Sequence, residues 1–274
     1  MQAAEDAKEQ TKAAAIKKKR QVEADSKTNS TKKAKSTPLD KSKIKRPSKN
    51  HPIYGEEGIM RGILWYRTGT STNMCLDGQY TVKDAHSYGH NGLEIGAWFP
   101  RLMAALRDGA HGLYLTLLSI TQKLTECFHL GERMAGVAGS PETGAWSVVV
   151  SDGGYGGIDK DLGDVIIYSA PGAFDTKAKT AEDDRRGAKC LLRSYETKRP
   201  IRVLRGKTAW KFAPSCGYRY DGLYQVEEKG EGKNDDGGVY IWVKLVRLLD
   251  QEPIDRKKPD FNQRRAEEKV SRGY

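Results

Sequence analysis

The chain has 274 residues and a net charge of +11, with 47 Lys and Arg against 36 Asp and Glu. Length alone fits one large domain or two small ones. The distribution of charge and of cysteine excludes more: no apolar stretch follows the N-terminal charges as a secretory signal requires, and no run is apolar enough to be read as a membrane span. Cys75, Cys127, Cys190 and Cys216 are too scattered for a structural zinc, which excludes a RING or a zinc-dependent deaminase within this sequence and leaves them as reduced packing residues.

Residues 1–50 carry 15 Lys and Arg against 6 Asp and Glu, a share of +9 that leaves the rest nearly neutral. This segment contains no Phe, Trp or Tyr. It cannot bury enough surface to offset its ordering entropy, so it reads as a disordered basic tail suited to nuclear import or phosphate contact. A folded domain is expected over 51–250. Near its start, Tyr54, Gly55, Gly58, Gly62 and Arg67 recur 34 residues later as Tyr88, Gly89, Gly92, Gly96 and Arg101, a spacing equally compatible with a partial duplication and with coincidence.

Leu102, Met103 and Leu106 have helical spacing within Phe99 to Leu106. The run Leu113 to Leu130 is apolar but interrupted by Lys123 and Glu126. SVVVS at Ser147 to Ser151 and VIIYS at Val165 to Ser169 are β-branched, bounded by glycine, and read as buried strands. Thr180 followed by Asp183 reads as a cap opening a helix through Ala188, Leu191 and Leu192, and Ile201 to Leu204 reads as another strand. Gly222 to Glu228 and Val239 to Leu248 flank KGEGKNDDGG, read as a loop, and together predict a long hairpin. Residues 251–274 are charged and expected to be a mobile tail. Short strands with two or three helices predict an α+β fold with a curled mixed sheet or barrel.

Four motifs follow one another: GVAGSPETGAWSVVVSDGGY at Gly136 to Tyr155, GDVIIYS at Gly163 to Ser169, GAKCLLRSYETKRPIRVLRG at Gly187 to Gly206, and RYDGLYQV at Arg219 to Val226. In this order they resemble the SRA/YDG family of methylcytosine-reading domains, over roughly Tyr88 to Leu248. The resemblance implies a PUA-like β-barrel with flanking helices that grips duplex DNA and encloses a flipped 5-methylcytosine. It implies no catalytic residue, metal or cofactor. The implied partner is double-stranded DNA carrying methylated cytosine, joined by chromatin or ubiquitin-ligase proteins, for a monomeric nuclear reader without membrane contact. The alternative is an accessory scaffold of a ubiquitin-ligase-type chromatin complex with a degenerate pocket.

Carried over by position, Tyr155 and Tyr168 would stack on the base, Asp159 would accept from its exocyclic amine, and Ser169 stands where the family usually has Thr. Aromatic faces restore roughly 1–3 kcal/mol of stacking per flipped base, and a carboxylate accepts only, matching cytosine's amine rather than thymine's carbonyl. The amides of Asp152, Gly153 and Gly154 could approach the base closely because glycine removes obstruction. Val137, Ala138 and Gly139 match the loop that probes the gap left in the duplex. Lys177, Lys179, Arg185 and Arg186 could deliver charge to phosphates, and Arg202 and Arg205 read either as phosphate contacts or as the wet face of a strand. Tyr220, Asp221 and Gly222 are assigned to structure, as a strand entry with a buried polar anchor.

Three departures bear on these assignments. Gly156 and Gly157 follow the first pocket tyrosine where an acidic residue is usual, which leaves Asp161 as an alternative to Asp159. The segment 175–186 is short and fixes no preference among hemimethylated, fully methylated and hydroxymethylated sites. About twenty residues from Leu113 to Arg133 interrupt the family pattern, as an added helix or a mispredicted exon.

Overall fold

Strand content follows the β-branched runs. The computed structural model describes residues 44–68, 71–112, 136–151, 158–181, 185–208 and 210–273. An antiparallel hairpin of β1 (Ile63–Thr68) and β2 (Ser71–Leu76) comes first. Next come the two-residue β3 (Trp98–Phe99) and the short helix α1 (Leu102–Arg107), which covers the latter part of the predicted helical stretch. The main sheet then builds from β4 (Val137–Ser140), β5 (Gly144–Val150), β6 (Lys160–Asp161) and β7 (Val165–Ser169). Helix α2 (Arg186–Thr197) leads into β8 (Ile201–Gly206), the long β9 (Tyr218–Lys233) and β10 (Val239–Arg247), and α3 (Phe261–Val270) ends the described elements.

The strand order is β4-β5-β8-β9-β10-β7-β6, with β3 added beside β9. Among the described strands only the β5–β8 pair is parallel, so the sheet is mixed. Register shifts at Ala138/Gly139, Arg202/Leu204 and Lys244/Leu245 bend it, as β-bulges do. The bending brings distant strands together: β5 is second in the order and β7 sixth, yet the Tyr168 hydroxyl lies 3.4 Å from the Val149 carbonyl oxygen. The result is the expected curled mixed sheet with flanking helices, its path open between β4 and β6.

Both faces of the central strands are buried, which is why they read as unbroken β-branched runs rather than alternating ones. Val148, Val150, Ile201, Val203, Tyr224 and Val243 join Cys190 and Leu191 of α2 in one core. Val149, Leu204 and Tyr220 face a second core built from Tyr54, Met60, Ile63, α1 and Val270.

Several expectations are corrected. The segment 251–274 contains a helix rather than only a mobile tail: Asp260 and Gln263 form a reciprocal capping box, Val270 is fully buried, and its carbonyl accepts from the Tyr54 hydroxyl at 2.9 Å. The Arg101–Glu267 ion pair adds a second tie. Of KGEGKNDDGG, the first half continues β9 and only residues 234–238 turn. Gly230 and Gly232 sit opposite Trp242 and Tyr240, whose rings occupy the space that a side chain on either glycine would need.

Helix α2 begins at Arg186 with no side-chain cap. Cys75, expected as a free packing residue, is disulfide-bonded. Cys190 keeps the expected character: it is free and buried, and burial pushes its thiol up to about 11, which makes it an inert packing group. The 34-residue similarity extends to backbone conformation at one glycine pair of three: Gly62 and Gly96 both have positive φ, whereas Gly89 and Gly92 do and Gly55 and Gly58 do not. Residues 1–43 and the 113–133 segment lie outside the described residues.

Candidate nucleic-acid interface

Asp159 immediately precedes β6, and β6 pairs with β7. Its side chain is buried, and Oδ1 accepts from the Ser169 amide at 2.7 Å and from the Ser169 hydroxyl at 2.6 Å. Two donors from one residue fix the direction of the carboxylate, and they take two of its roughly four acceptor positions. Tyr168, the preceding residue on β7, is buried in the inner core with its hydroxyl toward β5. The structure therefore brings Asp159, Tyr168 and Ser169 together at one end of β7. Asp152, Gly153, Gly154 and Tyr155 lie outside the described residues.

Asp159 and Asp161 differ in their partners. Asp161 is spent on Arg205: Oδ2 accepts from Nε at 2.7 Å and Oδ1 from Nη2 at 2.8 Å, with both side chains 1% exposed. Arg205 also donates to Asp221 at 2.7 Å and to the Gly163 carbonyl at 2.6 Å. Asp221 in turn accepts from Arg219 at 2.5 and 2.8 Å, and Arg219 reaches the Phe212 carbonyl at 2.6 Å. Two arginines and two aspartates thus form a buried, charge-balanced network with Asp221 of the YDG motif at its centre, so the anchor role expected of that motif is what its geometry shows.

Arg202 and Arg205 are neither phosphate contacts nor a wet strand face, since both are fully buried. Arg202 donates to the carbonyls of Ala110 (3.2 Å), Ser87 (2.6 Å), Gly89 (3.0 Å) and Ala85 (2.6 Å), and burial lowers its pKa to about 10. Its guanidinium ties two loops to β8.

Val137, Ala138 and Gly139 are also placed differently from expectation. They lie in β4, paired with Val148, Ser147 and Ala145, and all are buried, so as placed they form sheet wall rather than a projecting loop. Lys177, Lys179, Arg185 and Arg186 are exposed around the connection from β7 to α2. Arg185 donates to the Pro171 carbonyl at 2.9 Å and Arg186 to that of Gly139 at 3.2 Å.

One residue passed over in the sequence lies beside this connection. Asn234, at the turn between β9 and β10, is buried, and its Nδ2 donates to the carbonyls of Ala173 (2.9 Å), Phe174 (3.3 Å) and Thr176 (2.8 Å). Within NDDGG it carries no signal beyond turn propensity.

A buried acceptor and an aromatic ring thus meet at one end of β7 in a curled sheet, with exposed cations on the connection that follows. A family model described as the SAD/SRA domain matches residues 87–251, and the chain belongs to that family. It is 33% identical over 198 residues to a UHRF1-like protein of Cryptococcus neoformans var. grubii, covering 66% of this chain and 52% of that one. It is 31% identical over 151 residues to the E3 ubiquitin-protein ligase UHRF1 of Xenopus tropicalis, covering 44% and 18%. The chain thus spans about half the length of the first relative and under a fifth of the second. Among solved structures, the SUVH5 SRA–fully methylated CG DNA complex is 28% identical over 62% of this chain and 99% of that one, with a TM-score of 0.43. The modification-dependent TagI restriction endonuclease is 29% identical over 60% and 53%, with a TM-score of 0.47.

Proposed function

We propose that this domain is a non-catalytic reader of methylated CpG DNA in chromatin, holding a 5-methylcytosine that has rotated out of the duplex. The observation that carries the reading is the Asp159 carboxylate, buried and oriented by Ser169 next to Tyr168. Cytosine's exocyclic amine is a donor and thymine's carbonyl is not, so a fixed acceptor selects the first. Tyr168 offers one ring face, and Tyr155 with the amides of Asp152, Gly153 and Gly154 completes the enclosure in this reading. The family supports the assignment, because solved SRA domains of SUVH5 are described in complex with methylated and with fully hydroxymethylated CG DNA.

Lys177, Lys179, Arg185 and Arg186 contact phosphate in this proposal, and the basic N-terminal segment adds affinity that is independent of sequence and sensitive to salt. Val137, Ala138 and Gly139, paired within the sheet, have no gap-probing role in this proposal. Relatives named as a ubiquitin ligase and a histone-lysine methyltransferase support a nuclear location and association with chromatin or ubiquitin-ligase proteins in this reading. A gel-shift comparison of methylated and unmodified CpG duplexes tests the reading. Preferential binding of the methylated duplex is expected, and equal binding would leave the scaffold alternative in its place.

A further inference from the structure

We infer that Asn234 is a positioning residue for phosphate contact, holding the segment 173–178 so that Lys177 and Lys179 are presented to a nucleic-acid backbone. The inference rests on the DNA-binding reading above and extends the site to the far tip of the β9–β10 hairpin.

The amide of Asn234 works in both directions. Its Nδ2 spans three carbonyls of the segment, while Oδ1 accepts from the Gly238 amide at 2.8 Å and the Asp236 amide at 3.1 Å within its own turn. One side chain therefore closes the hairpin tip and clamps it to the stretch that follows β7. Two further contacts share the load. Val239 donates its amide to the Ala178 carbonyl at 2.9 Å, and a Cβ on Gly238 would stand 1.9 Å from the Thr176 carbonyl oxygen, so the approach requires glycine.

The consequence falls on the lysines. Ala178, between them, has its N–H bonded to the Thr176 hydroxyl at 3.2 Å and its C=O bonded to Val239. The backbone between Lys177 and Lys179 is thus fixed on both sides, while the lysines themselves are exposed. The tip carries Asp235 and Asp236, so its own charge cannot attract a phosphate; what it supplies is the hold on the lysine segment. Ordering two cations before binding removes an entropy cost at the moment of contact.

The test is a fluorescence-anisotropy titration of the full chain with a methylated duplex over a series of salt concentrations. Replacing Lys177→Gln and Lys179→Gln together is expected to lower the slope of log affinity against log salt by about 2. Asn234→Ala changes no charge, yet it is expected to lower the slope in the same direction and to weaken binding on the order of tenfold at ~0.1 M salt. Added to the double lysine variant, it is expected to change almost nothing further, because its effect runs through those lysines.

An unchanged slope in the double lysine variant would overturn the inference, as would an Asn234→Ala effect that adds to it in full. Thermal melts monitor folding. Should Asn234→Ala unfold, Gly238→Ala displaces the same tip, and the same non-additivity is required of it. The methylated-to-unmodified affinity ratio of the unsubstituted chain reports on the underlying reading separately: its absence sinks that reading, whereas its presence with unaltered slopes sinks only the role of Asn234.

Discussion

Asp159→Asn isolates the chemistry of the pocket with little change of volume. The asparagine keeps an oxygen able to accept the two Ser169 bonds, at 2.7 and 2.6 Å. The second terminal atom becomes an NH₂ donor, and a base amine would meet a donor instead of a charged acceptor. A hydrogen bond to a charged group contributes about 1.5–3 kcal/mol. Losing it weakens capture of the flipped base roughly 10- to 100-fold. Binding to an unmodified duplex, driven by backbone contacts, should stay within about twofold. Anisotropy titrations of both duplexes against both proteins measure the two ratios. If Asp159→Asn keeps the full preference for the methylated duplex, the carboxylate is not the acceptor and the pocket has been assigned wrongly.

Other perturbations address the scaffold. Asp221→Ala leaves Arg219 buried without its carboxylate and Arg205 with Asp161 alone, and should cost about 3–5 kcal/mol of stability in a urea melt. Arg202→Met strands four carbonyls and is expected to destabilise by a similar ~3–5 kcal/mol; Arg202→Lys should not restore stability, because an ammonium cannot reproduce the planar fork. Tyr168→Phe keeps the ring and loses the hydroxyl, which lies 3.4 Å from the Val149 carbonyl oxygen, and should change stability by about 0.5–1.5 kcal/mol, whereas Tyr168→Ala opens a core cavity worth about 3–5 kcal/mol, so Phe is the control for stacking. At the α3 cap, the Gln263 amide and then Lys258 hold the Asp260 carboxyl below its ordinary 3.8. Its folded value is the lower one, so its stabilisation is complete above about pH 4 and is lost as pH falls through that lower value. Asp260→Asn should flatten this part of an acid-denaturation curve.

The strands β5, β7 and β8 were legible because their cues are local, whereas β1 to β4 and β6 were not read as strands. β7 was bounded to the residue by its flanking glycine and β-branched run, and β5 carries the same pattern. Tyr168 and Ser169 were legible through the motif that contains β7. What the sequence hid was set by distant partners. Arg202 and Arg205 alternate with Val203 and Leu204 like the exposed face of a strand, and nothing nearby announces the carbonyls of Ala85 or the carboxylate of Asp161 that accept from them. Helix α3 is charged along most of its length, and the buried position that docks it, Val270, comes at its last turn. The second half of β9 looked like loop because Gly230 and Gly232 disfavour strands by themselves. The aromatic residues that cover them arrive ten or so positions later.

The charge-balanced network at Asp221 bears on how any binding screen of this domain should be interpreted. Asp161 is two residues from Asp159, and it is bolted through Arg205 to the aspartate of YDG. A substitution at Asp221 would therefore shift the acceptor without touching DNA, and a scan scored only by binding would rank it beside true contacts. Pairing each binding value with a melting temperature separates the two groups: contact residues lose affinity at constant stability, and members of the network lose both together.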